Sequence, residues 1–443
     1  ALAALVDHGV STSPPCRLDK HLRTPRADTR TKIVATLGPA SESPEVLDDL
    51  LLAGVDVVRL NLSHGTLQSH IERLQAVRAA AERTGQVVAV LADLPGPKVR
   101  SGQFADGGGV LVGGARLVLT PAEGPSTIER ITVDYPTLLV DLQPGDRVVL
   151  GDGAISLRAE AVDEREVHCV VLTGGMVQGR PGVHLPSERL RLTTPTADDL
   201  VLGKAMAEAG ADFLAVSFVR AAHDLRVVRE AILPYTTRLV AKIETMPAVV
   251  ALEAIAAEAD AVMVARGDLG IECPLEDVPH LQKRIIRHCV EVGVPVITAT
   301  QMMESMITAP SPTRAEVSDI ANAVFDGTGA LMLSAEPAIG HDPVNVVETM
   351  RRTAARAEPP TISVTLGLDL RVPTGRVNDS CRLIALINEQ LWLGHFELWA
   401  EDGAVVFRHV LPLIDREEAS PGEIAAVLAA AVDSANRFFP AFN

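Results

Sequence analysis

The chain has 443 residues, is 47% hydrophobic and 22% charged, and carries a formal net charge of −17. This suits a globular protein of two or three domains. The acidic balance without a basic stripe argues against a broad nucleic-acid surface, although a pocket can still be locally basic toward phosphates, and no apolar run reaches the roughly 18 residues that suggest a membrane span.

Residues 1–28 mix Ser, Pro and Arg with little periodicity and read as a loose arm. Their opening, ALAALVDHGV, lacks the basic flank and long apolar core of a signal peptide. The five cysteines, Cys16, Cys169, Cys273, Cys289 and Cys381, have no CxxC spacing. They read as free thiols of a reducing, cytoplasmic protein.

From Lys32 a short apolar run alternates with an amphipathic helix pattern. The runs are KIVATL (32–37), VDVVRL (55–60), VVAVLA (87–92), FLAVSF (213–218), RLVAKI (238–243), AVMVA (261–265), VPVITA (294–299) and GALMLS (329–334). Runs apolar on both faces, separated by helices, predict a closed parallel sheet, an α/β (β/α)8 TIM barrel. Ser43-Pro44-Glu45 predicts a capped helix start. The rhythm breaks after the third run. Residues 98–190 hold Gly-rich turns and short alternating strands, and predict an inserted all-β domain. The barrel parts are then 29–97 and 191–357. After Glu358, Pro359-Pro360 reads as a linker into a small α+β C-terminal domain, 358–443. A helix is expected near 378–390, a hairpin over 395–413 turning at Asp402-Gly403, and a last helix from Pro421 to Phe438 capped by Ser420.

Active sites of such barrels lie at the C-terminal ends of the strands. Those ends carry Arg59, Asn61, Ser63 and His64 after the second run, Asp93, Lys98 and Arg100 after the third, and Lys242 and Glu244 in and after the fifth. The sixth is followed by Arg266-Gly267-Asp268, the seventh by Thr300-Gln301, and the eighth by Glu336, Ser334 being its last residue. Lys242 and Glu244 share one face of a strand. With six lysines in the chain, a cation among Leu239, Val240, Ala241 and Ile243 points to chemistry; a solvated ion pair is the competing reading. Glu244 and Asp268, on adjacent strand ends, suit one hard divalent ion, Mg2+ or Mn2+. The alternative is an acid pair neutralised by Arg266 or Lys242. The Gly-bearing turn at 266–270 could cradle a carboxylate or phosphate.

TKIVATLGPAS (31–41), AGVDVVRLNLSHGT (53–66), GDGAISL (151–157), AVSFVR (215–220), AKIE (241–244), VMVARGDLGIE (262–272) and the stretch from VPVITATQMMESM to GALMLS (294–334) closely resemble the pyruvate kinase family. The resemblance implies a Mg2+-dependent enzyme moving a phosphoryl group from phosphoenolpyruvate to ADP, giving pyruvate and ATP. Lys242 would neutralise the phosphoryl group and stabilise the enolate, and Arg59 would face that group. Glu244 and Asp268 would ligate the metal. Gly267, Asp268 and Thr300 would hold the substrate carboxylate, and Thr300 and Ser334 would belong to the proton-delivery network. Asn61, His64 and Arg100 would line the nucleotide phosphates. Many members bind K+ with a Glu near this site; here Leu94 and Lys98 replace the usual Thr and Glu. This resembles the K+-independent branch, with Asn61, Ser63, Asp93 and the Lys98 amine in place of the ion; a plain surface lysine is the alternative.

Three departures stand out. Arg180 takes the place of a lysine ahead of the inserted domain's GVNLP segment, Gly151-Asp152 replaces a paired acid, and the loop after Ser334 reads Ala335 to Gly340. The family's C-terminal domain is not recognisable. Residues 378–443, through Ile387-Asn388-Glu389, Phe396, Phe407-Arg408, Leu411-Pro412-Leu413 and Phe438-Phe439-Pro440, instead resemble YbjN-type domains related to type III secretion chaperones. That likeness implies a protein partner or self-association; a generic α+β cap is the other reading. The family is commonly oligomeric, so a homo-oligomer is expected. Besides an active kinase, two readings stay open: a phosphoenolpyruvate-binding regulatory protein with weak or no turnover, and a metal-dependent aldolase on the same barrel.

Overall fold

The computed structural model describes residues 29–443 except 152, 154, 187–190, 192, 359–360, 389, 392–393, 400–402, 413–418 and 443. The expected arm at 1–28, the acid Asp152 and Asp402 of the hairpin turn lie outside the described residues. The chain forms two compact units, one up to Ala355 and one from Arg356.

The first unit is built on eight parallel strands: β1 (Lys32–Thr36), β2 (Val57–Asn61), β3 (Ala89–Asp93), β4 (Phe213–Val216), β5 (Arg238–Ile243), β6 (Ala261–Ala265), β7 (Val296–Ala299) and β8 (Ala330–Leu333). They close as β1-β8-β7-β6-β5-β4-β3-β2. Every residue of β6, β7 and β8 is buried, which explains why these runs do not alternate. Inward residues of successive strands, among them Val34, Leu91, Ala215, Val240, Met263 and Met332, fill the barrel interior. Each fully buried Val, Leu or Met contributes roughly 1.5–3 kcal/mol.

The register sets which groups meet at the rim. Asn61 lies opposite Asp93, and Asp93 opposite Ala215. The first helix, Pro44–Ala53, starts as expected: Ser43 accepts the Val46 N–H, Pro44 occupies the first turn, and Gly54 at φ 111° ends it.

The excursion between β3 and β4 has its own core of Leu119, Ile131, Leu138, Val148 and Leu157 among others. Its main sheet runs Val183–His184, Arg147–Leu150, Ile155–Val162, Val167–Thr173, Arg116–Pro121, Arg130–Val133 in spatial order. One short helix, Leu138–Asp141, interrupts the all-β pattern.

The second unit is a three-stranded antiparallel sheet, ordered Thr361–Arg371, Ala404–Pro412, His395–Leu398, with helices Val377–Asn388 and Pro421–Phe442. Phe396 packs edge-on against Phe407 and Phe438 at 5.3 and 6.1 Å. Ser420 caps the last helix, its hydroxyl accepting the Glu423 N–H at 3.2 Å. That helix continues past Phe438 to Phe442. The strand Thr361–Arg371 was not expected; it occupies the region beside the linker.

Candidate active site

Asp93, at the end of β3 and 2% exposed, joins the two cations of the rim. Its Oδ2 accepts from Arg59 Nε at 2.7 Å and lies 2.6 Å from Arg59 Nη2, while its Oδ1 is 3.3 Å from Lys242 Nζ. Arg59 Nη1 also donates to Thr36 Oγ1 at 3.0 Å, and that hydroxyl donates to the Leu333 carbonyl. The Lys242 amine points into the rim. It donates to Ser217 Oγ at 2.6 Å and sits 3.4 Å from Glu244 Oε2. Glu244 is 1% exposed. Its Oε1 accepts the Phe218 N–H at 2.6 Å, but its Oε2 receives no hydrogen bond. A solvated Lys242–Glu244 pair is thereby ruled out.

Charges in so dry a site need mutual support. Burial alone would lower Lys242, but Asp93 and Glu244 outweigh it and hold the amine above the ordinary lysine value. Burial would likewise raise Asp93, yet Lys242 and Arg59 keep it below the usual carboxylate value. Glu244 is different. Burial, reinforced by Asp268 and Asp93, overcomes Lys242 and pushes it up to about 7. A carboxylate whose one cation does not offset its burial, with one oxygen that receives no hydrogen bond, fits a hard divalent cation shared with half-buried Asp268.

Arg266 does not neutralise these acids. Its guanidinium turns to the loop after β7, donating to the Thr300 carbonyl at 2.6 and 3.2 Å, the Gln301 carbonyl at 3.0 Å and Asp319 at 2.6 Å. Thr300 and Gln301 are in the left-handed region at φ 70° and 53°. The Thr300 hydroxyl accepts the Gly267 N–H at 2.9 Å and donates to the Ala299 carbonyl at 2.7 Å. Ser334 Oγ, after β8, is buried without a hydrogen-bond partner, and Glu336 receives the Ser334 N–H at 2.7 Å.

A cleft of about 370 Å³ opens beside this group between the rim and the inserted sheet, lined by His64, Lys98, Arg100, Phe218, Arg220 and Asp268 among others. Lys98 Nζ donates to Ser63 Oγ at 3.0 Å, and Asn61 Oδ1 accepts the Ser63 N–H at 3.2 Å. The Lys98 side chain is solvent-accessible. Even so, the protein crowding its amine, then the Lys242 charge, pull it below the ordinary lysine value against Asp268 and Asp93. Burial, then Lys98, Arg100 and Arg59, lower His64. Arg180 lies elsewhere. Its Nε donates to the Ser101 carbonyl at 3.2 Å and its Nη2 lies 3.9 Å from Asp134.

The rim thus gathers Arg59, Asp93, Lys242, Glu244, Gly267, Asp268, Thr300 and Ser334, with Asn61, Ser63, His64, Lys98 and Arg100 beside it. Sequence reasoning missed Ser217 and Thr36, the hydroxyls that orient the two cations. Ser217 was within reach, being the first polar residue after Phe213–Val216. Thr36 was not, since a threonine ending an apolar run looks like any β-branched strand residue.

Residues 28–347 match the family model for the pyruvate kinase barrel domain, and residues 353–443 match the YbjN model, described as a putative bacterial sensory transduction regulator. A pyruvate kinase of Geobacillus stearothermophilus is 45% identical over 337 residues, covering 74% of this chain and 57% of that protein. One of Corynebacterium glutamicum is 45% identical over 333 residues, covering 75% of this chain and 70% of that protein. One of Methylorubrum extorquens is 40% identical over 381 residues, covering 86% and 80%. The chain therefore spans little more than half the length of some relatives that it matches. Identity at this level along the barrel and its insert, together with the barrel-domain match, places the chain in the pyruvate kinase family.

Proposed function

We propose that the chain transfers the phosphoryl group of phosphoenolpyruvate to ADP, giving pyruvate and ATP. The observation that carries this reading is Lys242, a charged amine held dry 3.4 Å from Glu244 Oε2, a carboxylate oxygen that receives no hydrogen bond. A β-phosphate oxygen of ADP attacks phosphorus, the bond from phosphorus to the enol oxygen breaks, and the enolate takes a proton at its terminal carbon. Such transfer depends mainly on positioning and charge stabilisation. Arg59 and Lys242 supply the cations that face the moving group, and Lys242 steadies the enolate oxygen. The Gly267 and Asp268 N–H groups with Thr300 hold the carboxylate, and Thr300 and Ser334 serve the proton. Glu244 and Asp268 would hold Mg2+ or Mn2+, which when bound neutralises phosphoryl oxygens. Asn61, His64 and Arg100 line the nucleotide phosphates. The Lys98 amine at Ser63 supplies the charge that K+ supplies elsewhere in the family, so K+ is not required.

The family's usual oligomerisation supports a homo-oligomer, which would cover apolar side chains such as exposed Val290 and Phe325. Exposed Ile424, Leu428 and Val432 on the last helix support a protein partner for the C-terminal unit. No described helix is long and apolar enough to cross a membrane, in keeping with a cytoplasmic enzyme. A second reading, phosphoenolpyruvate binding with weak or no turnover, draws on Arg180 facing away from the cleft. A lactate dehydrogenase-coupled assay with phosphoenolpyruvate, ADP and Mg2+ separates them. Pyruvate formation that stops on metal removal is expected; metal-dependent binding without pyruvate would favour the second reading.

A further inference from the structure

Arg266 is 10% exposed at its side chain and belongs to none of the binding groups above, yet its guanidinium is almost fully used. Nε and Nη2 take the Thr300 carbonyl, Nη2 also takes the Gln301 carbonyl, and Nη1 takes Asp319 Oδ2 at 2.6 Å and Gln282 Oε1 at 3.3 Å. Nη2 further approaches Met302 Sδ at 2.8 Å. The two carbonyls belong to consecutive non-glycine residues at φ 70° and 53°. Left-handed backbone is unfavourable for any L-residue and worst for a β-branched one such as Thr300. Nothing in the local sequence favours it, so the surroundings must over-determine it. Arg266 is the group that does so from the neighbouring strand end, anchored by Asp319 on the helix Arg314–Phe325 and Gln282 on the helix Val278–Glu291.

We propose that Arg266 is a positioning residue whose planar fork holds the Thr300–Gln301 turn left-handed and thereby keeps the Thr300 hydroxyl at the Gly267 N–H, facing the reaction centre. The inference rests on the kinase reading for its kinetic consequence but not for its structural one. A fork is needed because two adjacent carbonyls and a carboxylate are met at once by one side chain. An ammonium on a lysine stem cannot span them.

The test uses the full chain carrying Arg266→Met, Arg266→Lys or Asp319→Asn. A misplacement of about 1 Å costs on the order of 10²-fold in rate. Both Arg266 variants are therefore expected to lose about 10²-fold in kcat, with the KM for phosphoenolpyruvate moving far less. Asp319→Asn, which leaves the fork but loosens its anchor, is expected to lose less, and it keeps the test open should Arg266→Met fail to fold. The decisive arm is rescue. Glycine enters the left-handed region freely, so Gln301→Gly added to Arg266→Met should restore roughly tenfold of the lost kcat. A crystal structure of Arg266→Met reads the clamp independently of turnover, and Thr300 is expected to leave positive φ. If the wild type makes no pyruvate, the kinase reading fails while that φ still decides the clamp. Unchanged φ, full activity in Arg266→Lys, or a lowered melting temperature with unchanged kcat would overturn the proposal.

Discussion

Lys242 stays charged inside the barrel because Asp93 and Glu244 meet it at 3.3 and 3.4 Å. Removing one member of a buried ionic group leaves the others uncompensated, at a cost of about 3–5 kcal/mol. Lys242→Met is therefore expected to lose at least about 10³-fold in kcat and also to shift the urea midpoint downward. A variant as stable as wild type would mean that the acids are satisfied without the amine. Lys98 makes a separate prediction. Its amine already contacts Ser63, so turnover in Tris buffer should be the same with and without KCl, whereas Lys98→Glu should make activity depend on K+. Strong K+ stimulation of the wild type would refute the substitution of amine for ion. Lys242 could be proposed from residue type because a lone lysine in an apolar run has few structural uses. That Lys242 leans on Ser217, or Arg59 on Thr36, could not, because neither hydroxyl is near its partner in sequence.

Between residues and the whole lie the elements, and one linkage there depends on pH. Asp141, in the short helix of the insert, accepts from Tyr135 and, at 2.7 Å, from Thr137, and lies 3.0 Å from Arg191 on the return path to the barrel. Burial raises Asp141, but those hydrogen bonds and the Arg191 charge prevail and leave it below the ordinary carboxylate value. The folded value being the lower one, its stabilisation is present above the unfolded value of about 3.9 and is lost as pH falls through the folded value. Asp141→Asn should thus lower stability at neutral pH and make stability change less between pH 5 and 3, in about the range where acids protonate. Equal slopes for both proteins in urea melts across that range would remove Asp141 from the acid limb. The eight barrel strands were legible because buried parallel strands are unbroken apolar runs. Thr361–Arg371 went unread beside the Pro359-Pro360 linker, although it pairs continuously from Thr361↔Pro412 to Gly367↔Val406 before a register shift.

At the scale of the molecule, the barrel, its insert and the C-terminal unit each carry a core, the last built on Phe396, Phe407 and Phe438. A chain of several domains commonly departs from two-state unfolding. Differential scanning calorimetry of the full chain should therefore show more than one transition. A single transition with equal calorimetric and van't Hoff enthalpies would mean that the units melt as one.

Composition, periodicity and motif spacing by themselves determined the barrel, the insert after its third strand and which polar residue types follow its strands, since hydrophobic period and strand-end chemistry are local properties. Only tertiary structure decided what those residues touch. It turned Arg266 from the acids to the Thr300 carbonyl, set Arg180 against Ser101 and Asp134, and left one oxygen of Glu244 without a hydrogen bond. The reason is physical: a side chain's partner and its dielectric surroundings are fixed by strands brought together from distant parts of the chain, and no spacing along the sequence encodes that distance.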